Sequence, residues 1–212
     1  FGALALGALG TGVNALALRL DVADSKSFDG FVARLREGLS VRFGRSDFDF
    51  LLNNAGTGLH ATIDRTSEAQ FDELVNTHLK GVFFLTQKLL PLIVDGGRIV
   101  NVSSGLARFS MPGYAAYAMM KGGVEVLTRY LATELGPRRI AVNTLAPGAI
   151  AIDFGGGVVR DAAQVNAVIA SQPALGRVGE PEDIGRLVAA LFSEDARWIN
   201  GQRIEAAGGI HL

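Results

Sequence analysis

Cysteine is absent from the 212 residues, which excludes disulfides and thiolate metal sites and suits a reducing compartment such as the cytoplasm. Histidine is scarce: His60, His78 and His211 stand too far apart for an imidazole zinc site, so no metal is expected. Net charge is nearly absent as well. Twenty basic and 21 acidic residues leave −1, and neither nucleic acid nor an anionic membrane surface is expected as a partner. Residues 1–18 carry no charge, yet Gly2, Gly7, Gly10, Gly12 and Asn14 interrupt them and no basic leader precedes them, which argues against a membrane span or a signal segment. What is plentiful is apolar side chain, 49% of the chain, enough for one well-buried domain over residues 1–212 that acts on small molecules.

Short apolar runs alternate with longer amphipathic segments. That pattern predicts an α/β fold, a doubly wound parallel sheet in three α/β/α layers. Strands are expected at residues 15–21, 48–52, 98–102, 140–145 and 202–206. Between them, Phe28, Phe31, Val32, Leu35 and Leu39 mark one helix. Ser67 and Gln70 form a capping-box start for a long second helix carrying Phe71, Leu74, Val75, Leu79, Val82 and Leu89, ending near Pro91. Residues 114–135 form another helix, stopped by Gly136-Pro137, and further helices are expected at 162–170 and 181–192. Ligands of such sheets bind at the carboxyl ends of the strands, where Asn53, Ser104 and Pro147 fall.

Tyr117 and Lys121 lie four apart on the predicted helix and so share a face. A phenol titrates near ~10 in isolation, and an adjacent ammonium is expected to lower that value, making it a competent general acid. The same pair read blandly is a core tyrosine and a solvated lysine. Ser104, after the predicted strand at 98–102, can donate to a developing oxyanion or serve only as a turn or cap hydroxyl. Asn53-Asn54-Ala55-Gly56 supplies two amides that tie neighbouring strands and two small residues that let backbone approach a flat ligand.

Together, Asn53-Asn54-Ala55-Gly56, Ser104, Tyr117-x-x-x-Lys121, Asn143, Pro147-Gly148 and Arg177-x-Gly179-x-Pro181-x-Asp183 resemble, in order and spacing, the short-chain dehydrogenase/reductase family in its single-domain form. The resemblance implies a Rossmann-like fold and NAD or NADP as cofactor. It implies that Tyr117 protonates a carbonyl as hydride arrives, or deprotonates an alcohol in reverse, with Lys121 binding the nicotinamide ribose and Ser104 holding the substrate oxygen. Asp21 and Val22 match an adenine-contact position, Asn53 to Gly56 would lie along the adenosine ribose, and Pro147, Gly148 and Ile150 would border the nicotinamide. A small carbonyl or alcohol substrate and a homo-oligomer, joined through the helices at 71–90 and 114–135, are likewise implied.

Three departures matter. No Thr-Gly-x-x-x-Gly-x-Gly turn for the pyrophosphate is present; with an opening Phe, this leads to the expectation that the first strand, first helix and second strand lie upstream, residues 1–12 being the tail of a helix. His78 stands where the family has a relay Asn, and is either a relay group or a satisfied core histidine. Ile152 replaces a Thr that would bond the carboxamide. Phe109, Met111, Tyr114 and Phe154 are candidates for an apolar pocket, under a lid within residues 154–195 hinged at Gly155 to Gly157, or else that stretch is a surface loop. The competing functional reading is a non-catalytic binding or scaffold protein with a defective cofactor site.

Overall fold

The computed structural model describes residues 15–212, and the helix tail expected over residues 1–12 lies outside them. Four strands, β1 (Phe48–Asn53), β2 (Ile93–Val102), β3 (Ala141–Pro147) and β4 (Arg203–Ala206), form one parallel sheet in that order. Parallel neighbours need crossovers, and helices on both faces supply them. α1 (Phe28–Phe43), α3 (Gly81–Leu89) and α4 (Ala115–Glu134) cover one face and α7 (Pro181–Phe192) the other, giving the expected α/β/α layering.

Register explains which side chains meet which layer. Ile99 pairs with Val142, and both face α4, where Ala132 and Leu135 complete a cluster. Val100, one residue after Ile99, and Leu145, three after Val142, turn to the opposite face and pack on Leu191 of α7. Ile99, Val142 and Leu145 are all fully buried, each contributing about 1.5–3 kcal/mol through removal of apolar surface from water. Opposite charges and caps close the ends: α7 begins at a capping box between Glu180 and Asp183, and Asp183 also pairs with Arg177 at 2.6 Å.

Two elements differ from the sequence reading. Residues 15–21 do not form a strand. A strand is defined by ladder hydrogen bonds to a neighbour, and among the described residues this segment has none; Leu20 and Val22 instead pack as side chains on the Phe28, Leu85, Leu89 and Leu92 cluster. The long helix starts as expected at the Ser67/Gln70 capping box but is not regular. α2 (Glu68–Leu74) passes into a π-helical segment, Val75–Lys80, before α3 resumes.

Candidate active site

The site forms at the carboxyl end of β2, between that strand and the first two turns of α4. Tyr117 and Lys121 project from α4 toward the sheet, 7% and 5% exposed respectively. Lys121 Nζ donates to the Val102 carbonyl at 2.8 Å and lies 5.6 Å from the Tyr117 ring centroid. Its side chain is therefore anchored to the last residue of β2 rather than solvated. Ser104, two residues beyond Val102, caps a single 3-10 turn (Gly105–Ala107), its Oγ accepting from the Leu106 amide at 3.2 Å.

His78 completes the group from the opposite wall. The π-helical turn carries it inward, 1% exposed, and its ring meets Tyr117 edge-on at 5.4 Å between centroids. Nε2 lies 2.8 Å from the Thr57 carbonyl, a contact that requires Nε2–H and leaves Nδ1 a bare acceptor. Among buried polar side-chain atoms of the described residues, it is this Nδ1 that has no partner. Gly56 passes so close that a Cβ there would sit 2.9 Å from His78 Cε1 and 3.8 Å from Lys121 Nζ, so glycine is needed for the approach.

Burial dominates the electrostatics. It raises the Tyr117 phenol to about 12, and the Ser104 side chain, as a hydrogen-bond partner, draws the value only part of the way back. It lowers Lys121 to about 8. His78 is lowered to about 4 by burial first and the Lys121 charge second, against the pull of the Thr57 carbonyl. Contrary to the expected lowering by the neighbouring ammonium, burial sets the direction of the phenol's shift.

The strand-end amides divide in role. Asn53 turns inward, its Nδ2 donating to Thr86 Oγ1 at 3.0 Å and to Asn101 Oδ1 at 2.8 Å. Asn101 continues to Thr128 Oγ1 at 2.9 Å, and Thr144 donates to the same hydroxyl at 2.8 Å, so one polar chain ties α3, β1, β2, α4 and β3 beneath the site. Asn54, Ala55 and Gly56 stay exposed. Asn53, Asn54 and Ala55 line a groove of about 360 Å³ together with Val22 and Gly81. A Cβ on Gly81 would meet the Val22 carbonyl at 2.3 Å, which shows how tightly the helix holds that segment. Asp21 stays at the surface, its carboxylate accepting from the Ala23 amide.

On the far rim, Gly148 bonds the Ala206 carbonyl at 3.0 Å, with Pro147 ahead of it at the end of β3, and Ile150 bridges to Gly179. Asn143 clamps the chain instead of facing the site, donating to Ile199 O and accepting from the Gln202 amide. Phe154 reaches over the site, 5.9 Å from the Tyr117 ring and against Gly58. Gly155, Gly156 and Gly157 follow with φ of 65°, 79° and 77°, a left-handed run open to glycine. Met111 and Tyr114, with Ile63 and Leu106, line an adjacent pocket of about 410 Å³. Phe109 turns away from it and meets the His211 ring edge-on at 4.6 Å between centroids.

A parallel sheet wrapped by helices, with its reactive side chains at the carboxyl strand ends, defines the dinucleotide-fold class of α/β proteins. Comparison with known proteins narrows the class. A family profile described as enoyl-(acyl carrier protein) reductase matches residues 5–211. A 3-oxoacyl-(acyl-carrier-protein) reductase of Staphylococcus aureus is 36% identical over 95% of this chain and 79% of its own length. Among solved structures, the angucycline C-6 ketoreductase LanV with bound NADP superposes with a TM-score of 0.86 at 37% identity, covering 92% of this chain and 75% of that one. The promiscuous reductase LugOII gives 0.89 at 35%, covering 95% and 79%. The chain belongs to the short-chain dehydrogenase/reductase family, whose members are oxidoreductases.

Proposed function

We propose that the protein interconverts a carbonyl and a secondary alcohol with NAD or NADP, Tyr117 acting as the general acid and base. The observation that carries this reading is the convergence of three buried groups, Tyr117, Lys121 and His78, with the half-buried Ser104, where a ligand of this sheet binds. A phenol held at about 12 is fully protonated near neutral pH and still more acidic than the alcohol that forms, so it gives up its proton as negative charge develops on the substrate oxygen. The Ser104 Oγ accepts a hydrogen bond from the Leu106 amide, so its own O–H can donate to that oxygen. Lys121 spends one hydrogen on Val102 and has others for a ribose hydroxyl. His78, its Nε2 facing the Thr57 carbonyl, stays neutral and offers Nδ1 as a hydrogen-bond acceptor to a relay on the Lys121 side.

The nicotinamide half of the cofactor fits these residues. Gly56 gives the close approach, and Pro147, Gly148 and Ile150 form the rim. Val22, Asn54 and Ala55 border the groove suited to the adenosine, Asp21 lying at its surface end, while Asn53 supports the wall through its amide bonds. When bound, the cofactor supplies or accepts the hydride. Its NADP form is supported by LanV, which was solved with NADP. An apolar ketone or an acyl chain suits the pocket beside Met111 and Tyr114. The covering segment shrinks to Phe154 and the helices after it, α5 (Val158–Asp161) and α6 (Ala163–Ala170), because α7 is fixed to the sheet through Leu191. Self-association belongs to the same reading, supported by Phe83, Phe84, Met119, Val126 and Tyr130 exposed on α3 and α4; sedimentation at monomer mass would remove it.

The test is Tyr117→Phe. Carbonyl reduction should fall by roughly 10²–10⁴ while nicotinamide fluorescence reports unchanged NADPH binding; retained turnover refutes the assignment. A second reading, a non-catalytic binding or scaffold protein, is favoured by Ile152, which offers no side-chain hydrogen bond to a carboxamide, and by Phe154 seated against the phenol. The same titration separates the two, since tight NADPH or NADH binding by this chain counts against a defective cofactor site.

A further inference from the structure

A chain of charged side chains runs from the last strand to the backbone on either side of Ser104. Glu125 on α4 accepts from Ser103 Oγ at 2.7 Å and from Arg203 Nε at 2.7 Å. Arg203 donates to Glu205 at 2.7 Å and, through Nη2, to the Ser104 carbonyl at 3.2 Å. Arg108, on the loop after the serine, grips both oxygens of Glu205 at 2.7 and 2.8 Å. Two further hydrogens go to the Ile210 and His211 carbonyls, both at 2.8 Å, while Phe109 meets His211 edge-on and covers Gly105. Two guanidinium groups and two carboxylates balance in charge.

Such a network is weak evidence for stability, because desolvating ions offsets their attraction, but directional guanidinium forks are well suited to fixing geometry. Geometry is what Ser104 lacks locally. Its hydroxyl sits on a one-turn 3-10 element of three residues, which has little cohesion of its own. We infer that Arg203, Glu205 and Arg108 are positioning residues that hold the Ser104 hydroxyl at the substrate oxygen, linking the C-terminal segment to the site; this rests on the role proposed above for Ser104. The brace works from three sides. Ser103 is fixed by Glu125 and by its amide bond to Leu145, the Ser104 carbonyl by Arg203, and the loop's far end by Arg108.

Arg203→Met and Arg108→Met, with Arg203→Lys as the conservative variant, test the brace in the whole chain. Amide exchange over residues 104–109, measured without cofactor, should quicken about tenfold in both Met variants and less in Arg203→Lys. In turnover, kcat should fall about tenfold with the cofactor KM unchanged, and that loss should vanish when Ser104→Ala is already present. Wild-type exchange rates in both Met variants overturn the inference, as does an equal loss of kcat with and without Ser104. Should the parent chain show no turnover, the functional reading fails, and the exchange rates still decide whether the loop is braced.

Discussion

Two buried polar clusters lie along the same face of α4, about 10 Å apart by helical rise from Lys121 to Thr128. The lower one, Thr86, Asn53, Asn101, Thr128 and Thr144, is closed: each of its side chains has a hydrogen-bond partner. The upper one is open. It holds a phenol raised to about 12, a lysine lowered to about 8 and a bare imidazole nitrogen. Most members of both are buried, so burial does not mark the reactive site. What does is a polar group left without a partner or forced away from its ordinary charge state.

The largest expected effect breaks the closed cluster. Asn101→Leu takes one partner each from Asn53 and Thr128 and breaks the chain between β1 and α4, and should destabilise the fold by about 3 kcal/mol, read by urea denaturation. A cost near zero would show that the chain is decorative. Lys121→Met should act in the opposite direction, stabilising by about 2 kcal/mol near pH 7 while abolishing turnover. The sign follows from linkage. With Lys121 at about 8 in the folded protein against 10.5 ordinarily, the unfolded chain holds more protons between those values, so wild-type stability climbs with pH across that window and the full penalty applies below it. Denaturation at pH 7 and 10 should show that climb in the wild type and not in Lys121→Met.

His78 gives a smaller effect at the acid end. Lowered to about 4 from 6.5, it stays neutral while the unfolded chain begins to protonate, so stability is lost as pH falls through that interval. His78→Gln should remove roughly 1 kcal/mol of the decline between pH 6.5 and 5.5; an unaltered acid slope would place the titration elsewhere. Smallest is Phe154→Ala. The ring is 41% exposed, so stability should change by less than about 1 kcal/mol. Opening the phenol to water should still move its ultraviolet titration down from about 12 toward 10.

Local pattern carried much of this molecule. The Ser67/Gln70 box, the bounds of α7 and the four-residue spacing of Tyr117 and Lys121 follow from signals within one or two helical turns. Features that depend on distant partners were not readable. Residues 15–21 carry the composition of a strand, but strand formation is decided by a neighbour. The direction of the Tyr117 shift depends on how deeply the pair is buried, which spacing does not reveal. Arg203 and Glu125 meet across 78 positions of sequence, and nothing near either marks the contact. Phe109 is an apolar residue two positions from Met111, yet the C-terminal segment draws its ring away from the pocket.

The wide turn at Val75–Lys80 has a consequence for anyone reshaping this scaffold. It accommodates one more amino acid per loop of backbone than a regular coil, so everything beyond it is rotated by roughly 100° relative to an uninterrupted rod. Excising a single position there would let the rod straighten and carry His78 round to another side, with each remaining side chain chemically intact. Redesign that rewards regularity would silence this wall of the site without touching its composition.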